Sequence, residues 1–161
     1  MGGQMRLVLF FAVIWFALDQ GSKYGVLYGL NLIELGRMEV FPPLLTFHLG
    51  WNTGINFGLF GGGPDVMRWV LIAVAAVIIG WLLYWAKTGL TRPIALMGDG
   101  SVIGGALGNT LDRVIHGAVI DFLNMSCCGI SNPFAFNLAD VGIFAGALCL
   151  VLFADSRTET A

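Results

Sequence analysis

Apolar residues run through this chain in blocks too long for a soluble fold. Leu7 to Leu18 is unbroken, and with Asp19 to Leu27 it approaches the ~20 residues that a helix needs to cross a bilayer. Trp69 to Ala86 carries no charge and ends in the belt Trp81-Leu82-Leu83-Tyr84-Trp85, the aromatic signature of a membrane interface. Ile94 to Ile115 is less uniform, interrupted by Asp99 and rich in glycine (Gly100, Gly104, Gly105, Gly108). Val141 to Ala154 is apolar, and extension back to Phe134 gives it full length. Lipid offers no hydrogen-bond partners, so segments that cross it satisfy their backbone internally as helices. The pattern predicts four spans, at about 5–27, 67–86, 93–115 and 135–155.

A different period appears between the first two. Leu45, Phe47, Leu49 and Trp51 alternate with Thr46, His48, Gly50 and Asn52, which reads as a half-buried strand. Pro42-Pro43 precedes it, Asn52-Thr53-Gly54 follows as a turn, and Gly61-Gly62-Gly63 closes the segment. The expected fold class is an all-α membrane protein of one domain over residues 1–161. A small extracytoplasmic β-platform, at about 29–65, sits between spans one and two.

Composition agrees. Of 161 residues, 57% are hydrophobic and 11% charged, against roughly 25% charged in ordinary domains, and the mean hydropathy is +0.83. A net charge of -2 offers no field for nucleic acid. The amino terminus has Arg6 ahead of an apolar core, as a signal peptide would, but Asp19-Gln20 stands where a cleavage site belongs, so it reads as a retained span. Arg6 also occupies the position where a myristoylation signal from Gly2 needs Ser or Thr. With both termini inside, Arg6, Lys87, Arg92 and Arg157 are cytoplasmic, against Lys23, Arg37, Arg68 and Arg113 outside. Assigning Lys23 and Arg113 to a buried site leaves an inside excess that supports cytoplasmic termini.

Four antiparallel spans bring the end of span one, the end of span three and the start of span four to one membrane side. Those places hold Asp19-Gln20-Gly21-Ser22-Lys23, then Asn109-Thr110-Leu111-Asp112-Arg113 with Asp121 beyond, then Asn137-Leu138-Ala139-Asp140. The pairs Asp19 and Lys23, Asn109 and Asp112, and Asn137 and Asp140 each share a helix face. Ionisable groups at membrane depth are costly and usually mark function, though Asp19–Lys23 and Asp112 with Arg113 also suit structural ion pairing. Asp99 lies roughly 20 Å along the helix from Asp112, near the opposite interface, and is expected as a solvated end residue.

Other chemistry is thin. His48 reads as a platform residue, and His116 has no partner suggesting metal. Cys127 and Cys128 are adjacent in an outer loop and Cys149 lies within span four, with no metal spacing or disulfide framework. No Gly-x-Ser-x-Gly, His-Glu-x-x-His or phosphate loop occurs. Carboxylates are left as the acid–base groups. They suit peptide hydrolysis, a proton-coupled transporter, or a lipid-headgroup transferase holding magnesium on Asp112, Asp121 and Asp140; a structural subunit held by ion pairs is the fourth reading.

Five blocks together narrow the choice: Asp19-Gln20-Gly21-Ser22-Lys23; Asn52-Thr53-Gly54-Ile55-Asn56-Phe57-Gly58; Gly104-Gly105-Ala106-Leu107-Gly108-Asn109-Thr110-Leu111-Asp112-Arg113; Val119-Ile120-Asp121-Phe122; and Phe136-Asn137-Leu138-Ala139-Asp140. In this order they resemble the bacterial lipoprotein signal peptidases. The resemblance implies a cofactor-free aspartic endopeptidase of the bacterial inner membrane, its active site on the periplasmic side. Such an enzyme cuts prolipoproteins before a diacylglyceryl-modified cysteine. It further implies Asp121 and Asp140 as the catalytic pair, with Asp19, Lys23, Asn52, Gly54, Asn109, Asp112, Arg113 and Asn137 shaping or supporting the site. Contact with membrane lipid, inhibition by cyclic peptides of the globomycin type and action as a monomer are also expected. Asn56 departs from the small residue usual there, and the Cys127-Cys128 stretch matches none of the family's motifs.

Overall fold

The computed structural model describes residues 2–54, 63–129 and 132–154. Asn56, most of the turn block around it, Gly61, Gly62 and Arg157 lie outside the described residues. Helix α1 (Gly2–Tyr24) runs into one wide turn of π type (Gly25–Gly29), followed by the single-turn α2 (Leu32–Leu35). Strands β1 (Arg37–Phe41) and β2 (Leu45–Asn52) come next, then α3 (Gly63–Thr88), α4 (Pro93–His116), β3 (Val119–Met125) and α5 (Leu138–Phe153). Four long helices, α1, α3, α4 and α5, cover most of the four apolar segments of the sequence. Among the described residues, two stretches, Gly2–Gly29 and Asp65–Thr88, are long and apolar enough to cross a membrane. Helix α5 is shorter at 16 residues, and α4 carries the polar residues and glycines already noted.

Those glycines explain why the least uniform helix is the central one. Helix α4 packs most closely on α5 and α1. A Cβ at Gly100 or Gly104 would run into the carbonyls of Val8 and Ala12 on α1, and one at Gly105 or Gly146 into the backbone of the facing helix. Small residues let backbones approach closely, the usual route to helix association where burial from water gives no drive. Half of the residues of helix α4 are therefore buried, including Ala95, Leu96, Ile103, Asn109 and Asp112.

Two expectations are corrected here. Asp99 is not a solvated end residue: it is wholly buried, and neither carboxylate oxygen finds a hydrogen bond among the described residues. Distance along a helix fixes depth but not lateral cover, and tight packing against α1 and α5 continues past Asp99. A lone buried carboxyl gains nothing from its charge. Asp99→Asn is therefore expected to keep wild-type turnover without lowering Tm; a dead or destabilised variant would show that Asp99 has an unseen partner. The second correction concerns Cys127 and Cys128, which are joined to each other as a disulfide, while Cys149 is free.

The platform is larger than the sequence suggested. Its order is β1-β2-β3, all antiparallel, so the segment after α4 supplies the third strand. Gly50 pairs with Asp121 and Asn52 with Val119, which sets Asp121 at the edge of the sheet beside the helix bundle. The sheet buries Phe122 against Val26 and Leu32, with Phe47 edge-on to Phe122 at 5.5 Å between ring centres. His48 is an exposed platform residue on β2, as expected.

Candidate active site

Ten residues singled out from the sequence come together where the ends of α1 and α4 meet the start of α5 and the platform. Their centre is Lys23. Its ammonium lies 2.7 Å from Asp19 Oδ2 and 2.7 Å from Asp112 Oδ2, and donates to Asn109 Oδ1 at 3.2 Å. Three donors meet three acceptors, and both ion-pair partners are almost fully buried. Charges this deep persist only when every lone pair and proton is used. The carboxylates meet that condition. Asp19 Oδ1 accepts from the Ala139 amide at 2.9 Å, and Asp112 Oδ2 from the Ile120 amide at 3.1 Å. The triad thus ties α1 to the first turn of α5 and α4 to β3.

Gln20, quoted in the first block but not picked out as a site residue, completes this layer. Its amide donates to Asp19 Oδ2 at 3.1 Å and Asp112 Oδ1 at 3.0 Å. A glutamine next to Asp19 was the only signal available. Gly108 is required here as well, since a Cβ would strike the Asp19 carboxylate.

Two asparagines connect the triad to the remaining carboxylates. Asn109 spends its oxygen on Lys23 and on Asn137, so its amide nitrogen faces Asp140 Oδ1 at 3.1 Å. Asn137 is the N-cap of α5: its side-chain oxygen accepts from the Asp140 amide at 3.0 Å, and Asp140 Oδ2 accepts from the Asn137 amide at 3.1 Å. The Asn137 side-chain nitrogen then points at Asp121 Oδ1, 2.7 Å away. Asn52 donates to the other Asp121 oxygen at 3.0 Å. It is held by a turn in which the Gly54 amide donates to its own side-chain oxygen, at 3.0 Å. Gly54 has φ +95, and a Cβ there would lie 2.6 Å from Leu71, so glycine is needed on both counts.

Asp121 and Asp140 therefore sit on different elements, each fixed by neutral amides, and each within electrostatic reach of the other. Burial pushes the Asp121 carboxyl up to about 6. Asp140 acts in the same direction, while hydrogen bonds from Asn52 and Asn137 and the charge of Lys23 oppose it. The folded protein thus binds this proton more tightly than the unfolded chain, whose aspartates titrate near ~3.9. The stability it contributes is present below that value and is lost as pH rises to about 6. Relative to wild type, the Tm of Asp121→Asn is expected to climb between those pH values and level off above them. A constant difference would show that Asp121 titrates normally.

Arg113 closes the site. Its Nη1 donates to the Asn109 carbonyl at 3.2 Å, while its buried Nε finds no hydrogen bond among the described residues. With Asp121, Asn52, Gly50, Trp51 and Phe134 it lines a cleft of about 540 Å³. The His116 ring lies 5.7 Å from that of Trp51, which lines this cleft. Asp112 is a poor magnesium ligand, because its oxygens are committed to Lys23, Gln20 and the Ile120 amide. Chemically, two carboxyls that share a site ionise one at a time: the charged one can take a proton from water while the neutral one donates to a carbonyl.

Comparison with known proteins points the same way. The family model described as signal peptidase (SPase) II matches residues 11–154. A lipoprotein signal peptidase of Rhodopseudomonas palustris (strain TIE-1) is 40% identical over 152 residues, covering 91% of this chain and 90% of its own. That of Vibrio parahaemolyticus is 35% identical, covering 95% and 90%. Among solved structures, a bacterial membrane enzyme determined by the in meso method at 1.9 Å resolution superposes with a TM-score of 0.74. It is 23% identical, with 94% of this chain and 92% of that one covered, and so bears on the fold.

Proposed function

Because the chain belongs to the signal peptidase II family, we propose that it hydrolyses prolipoprotein signal peptides with Asp121 and Asp140 as its acid–base pair. It is an aspartic-type peptidase and a membrane protein, and its relatives carry the name lipoprotein signal peptidase. The observation that carries the assignment of residues is the amide cradle: Asn52 and Asn137 hold Asp121, which lines the cleft with Asn52 and Arg113, while Asn109 and the α5 cap hold Asp140 behind it. In the reaction, the ionised carboxyl removes a proton from water as it attacks the scissile carbonyl. The neutral carboxyl donates to the carbonyl oxygen, and the proton then passes to the leaving amine. Arg113, which lines the cleft, orients backbone carbonyls of the substrate, and Asn137 holds Asp121 in place. Neither step calls for a metal or cofactor.

The substrate on this reading is a prolipoprotein with a diacylglyceryl-cysteine after the cut, drawn laterally from the bilayer. Helices α1, α3, α4 and α5 are the four spans, with the platform and the catalytic pair outside the inner membrane and both termini in the cytoplasm. The gap in polar side chains along α4 supports this over a proton relay, since the helix carries none between Ser101 and Asn109. The enzyme acts as a monomer, and cyclic peptides of the globomycin type occupy the cleft. The test is purified protein with a diacylglyceryl-cysteine peptide, with and without chelator. Cleavage before the modified cysteine should survive chelation; loss of activity with chelator would favour the transferase-like, magnesium-holding alternative.

A further inference from the structure

The bond between Cys127 and Cys128 takes no part in the chemistry of Asp121 and Asp140. A disulfide stabilises a fold chiefly by shortening the loop that it closes in the unfolded chain, and the gain grows with loop length. Neighbours in sequence close almost no loop. Global stability is therefore a poor reason for this bond, and its effect has to be local.

What it holds is a turn. Cys128 has φ +60 and Gly129 φ +81, two successive left-handed positions just past the end of β3. Glycine adopts that conformation freely, whereas cysteine does so at a cost and is kept there by its tie to Cys127. The returning chain is fastened to the outgoing one by side chains. The Asn132 amide donates to Ser126 Oγ at 3.1 Å, and the buried Asn124 donates to the carbonyls of Asn132 and Phe134, both at 2.8 Å. The Phe134 amide donates in turn to Asn132 Oδ1 at 3.0 Å. This sets Phe134, 75% exposed, on the wall of the catalytic cleft with Pro133 and Ala135.

Beyond Phe134 the chain is pinned again. Phe136 accepts from the amides of Phe122 and Leu123 at 3.0 and 2.8 Å and donates to the Leu123 carbonyl at 3.0 Å. Slack in the turn therefore reaches Pro133 and Phe134 but stops short of Asn137 and Asp140. The bond is also open to reagents. Both cysteines are exposed, and Cys127 stands with Arg37, Glu39, Thr46 and Ser126 on the wall of a separate pocket of about 310 Å³.

Resting on the function argued above, which sets the platform in the oxidising space outside the inner membrane, we propose that Cys127–Cys128 is a thiol–disulfide exchange site whose oxidised form holds Phe134 in place to receive substrate. The reductant is a dithiol. One of its thiolates attacks Cys127 Sγ, breaks the S–S bond and leaves Cys128 as a thiolate, which takes a proton. Its second thiol closes on the first sulfur and releases Cys127, so the dithiol departs as a disulfide. Two electrons and two protons have then passed to the cysteines. Cys128 is free to leave the left-handed region, and the turn loosens.

The test compares the enzyme in lipid vesicles, purified without reductant, before and after dithiothreitol. The substrate is a diacylglyceryl-peptide whose cysteine is a thioether and so inert to the reagent. By intact mass, maleimide should add to two more cysteines after reduction. KM should rise about fivefold, the worth of one intramolecular hydrogen bond in the turn, while kcat and Tm hold. Reoxidation should restore KM. The double variant Cys127→Ser/Cys128→Ser should show the raised KM with or without reductant, as should Phe134→Ala. Cys149→Ser should respond as wild type does. Cys127 and Cys128 open to maleimide before reduction would overturn the proposal, as would an unchanged KM, or a fall of kcat and Tm together. Those outcomes leave the peptidase reading standing. Absence of cleavage by both redox forms would remove that reading, and this proposal with it.

Discussion

Asp121→Asn and Asp140→Asn should each abolish cleavage while leaving the protein folded in detergent. Both substitutions are nearly isosteric. Asp121→Asn keeps an oxygen to receive the Asn137 amide, and Asp140→Asn keeps one for the backbone amide of the α5 cap. The structural cost at Asp140 is the hydrogen bond from Asn109, which the single asparagine oxygen cannot also accept, together with the lost interaction of a charge with a helix start, about 0.3–1 kcal/mol. The catalytic cost is larger, because neither asparagine can take or give a proton at these positions, and such groups supply roughly 10²–10⁴ in rate. If the two aspartates act as one unit, the double variant should be no slower than either single one. Purified variants assayed on a lipidated peptide give the answer directly. More than about a tenth of wild-type turnover in either single variant would mean the pair is misassigned, since even the smallest acid–base contribution exceeds that.

The polar cluster was legible in the sequence because lipid makes polarity conspicuous, while the choice of Asp121 and Asp140 within it came from the family resemblance. Asp19, Lys23, Asn109, Asp112, Asn137 and Asp140 interrupt apolar runs at helical spacing, and antiparallel spans put the interruptions on one side. What spacing could not give was the wiring. That Asn109 is turned by Lys23 towards Asp140, and Asn137 towards Asp121, follows from hydrogen-bond directions that only a three-dimensional arrangement fixes. Strand β3 was hidden for another reason. Its residues Val119, Ile120, Asp121 and Phe122 are all buried, so the alternation that betrayed β2 is absent, and its pairing partner lies some seventy residues earlier. Asp99 misled because a helix position near an interface is solvated only if nothing packs over it. Glycine-mediated packing holds α4 against α1 and α5 even where its hydropathy is modest.

Removing the lipid from the substrate should be as damaging as removing a carboxylate. Matched peptides with and without a diacylglyceryl group on the cysteine, assayed at equal membrane concentration, are expected to differ on the order of 10²-fold or more in kcat/KM, the scale on which misplacement of a reacting group is felt. Burial from water is not the source of this difference, because the signal helix already holds the unmodified peptide in the bilayer and an acyl chain there is already out of water. What the chains add is registry. The pair is fixed at one depth by the Lys23 triad and the α5 cap, and the scissile carbonyl has to arrive between Asp121, Asp140 and Arg113 rather than slide past them. A helix can shift along its axis and rotate at little cost in lipid, whereas a glyceryl group attached next to the cut sits at the interface and stops both motions. The effect should therefore fall mainly on kcat, since an unlipidated peptide enters the membrane but seldom presents its bond. Equal cleavage of the two peptides would show that the signal helix alone sets the register, and that the enzyme is a general signal-helix peptidase.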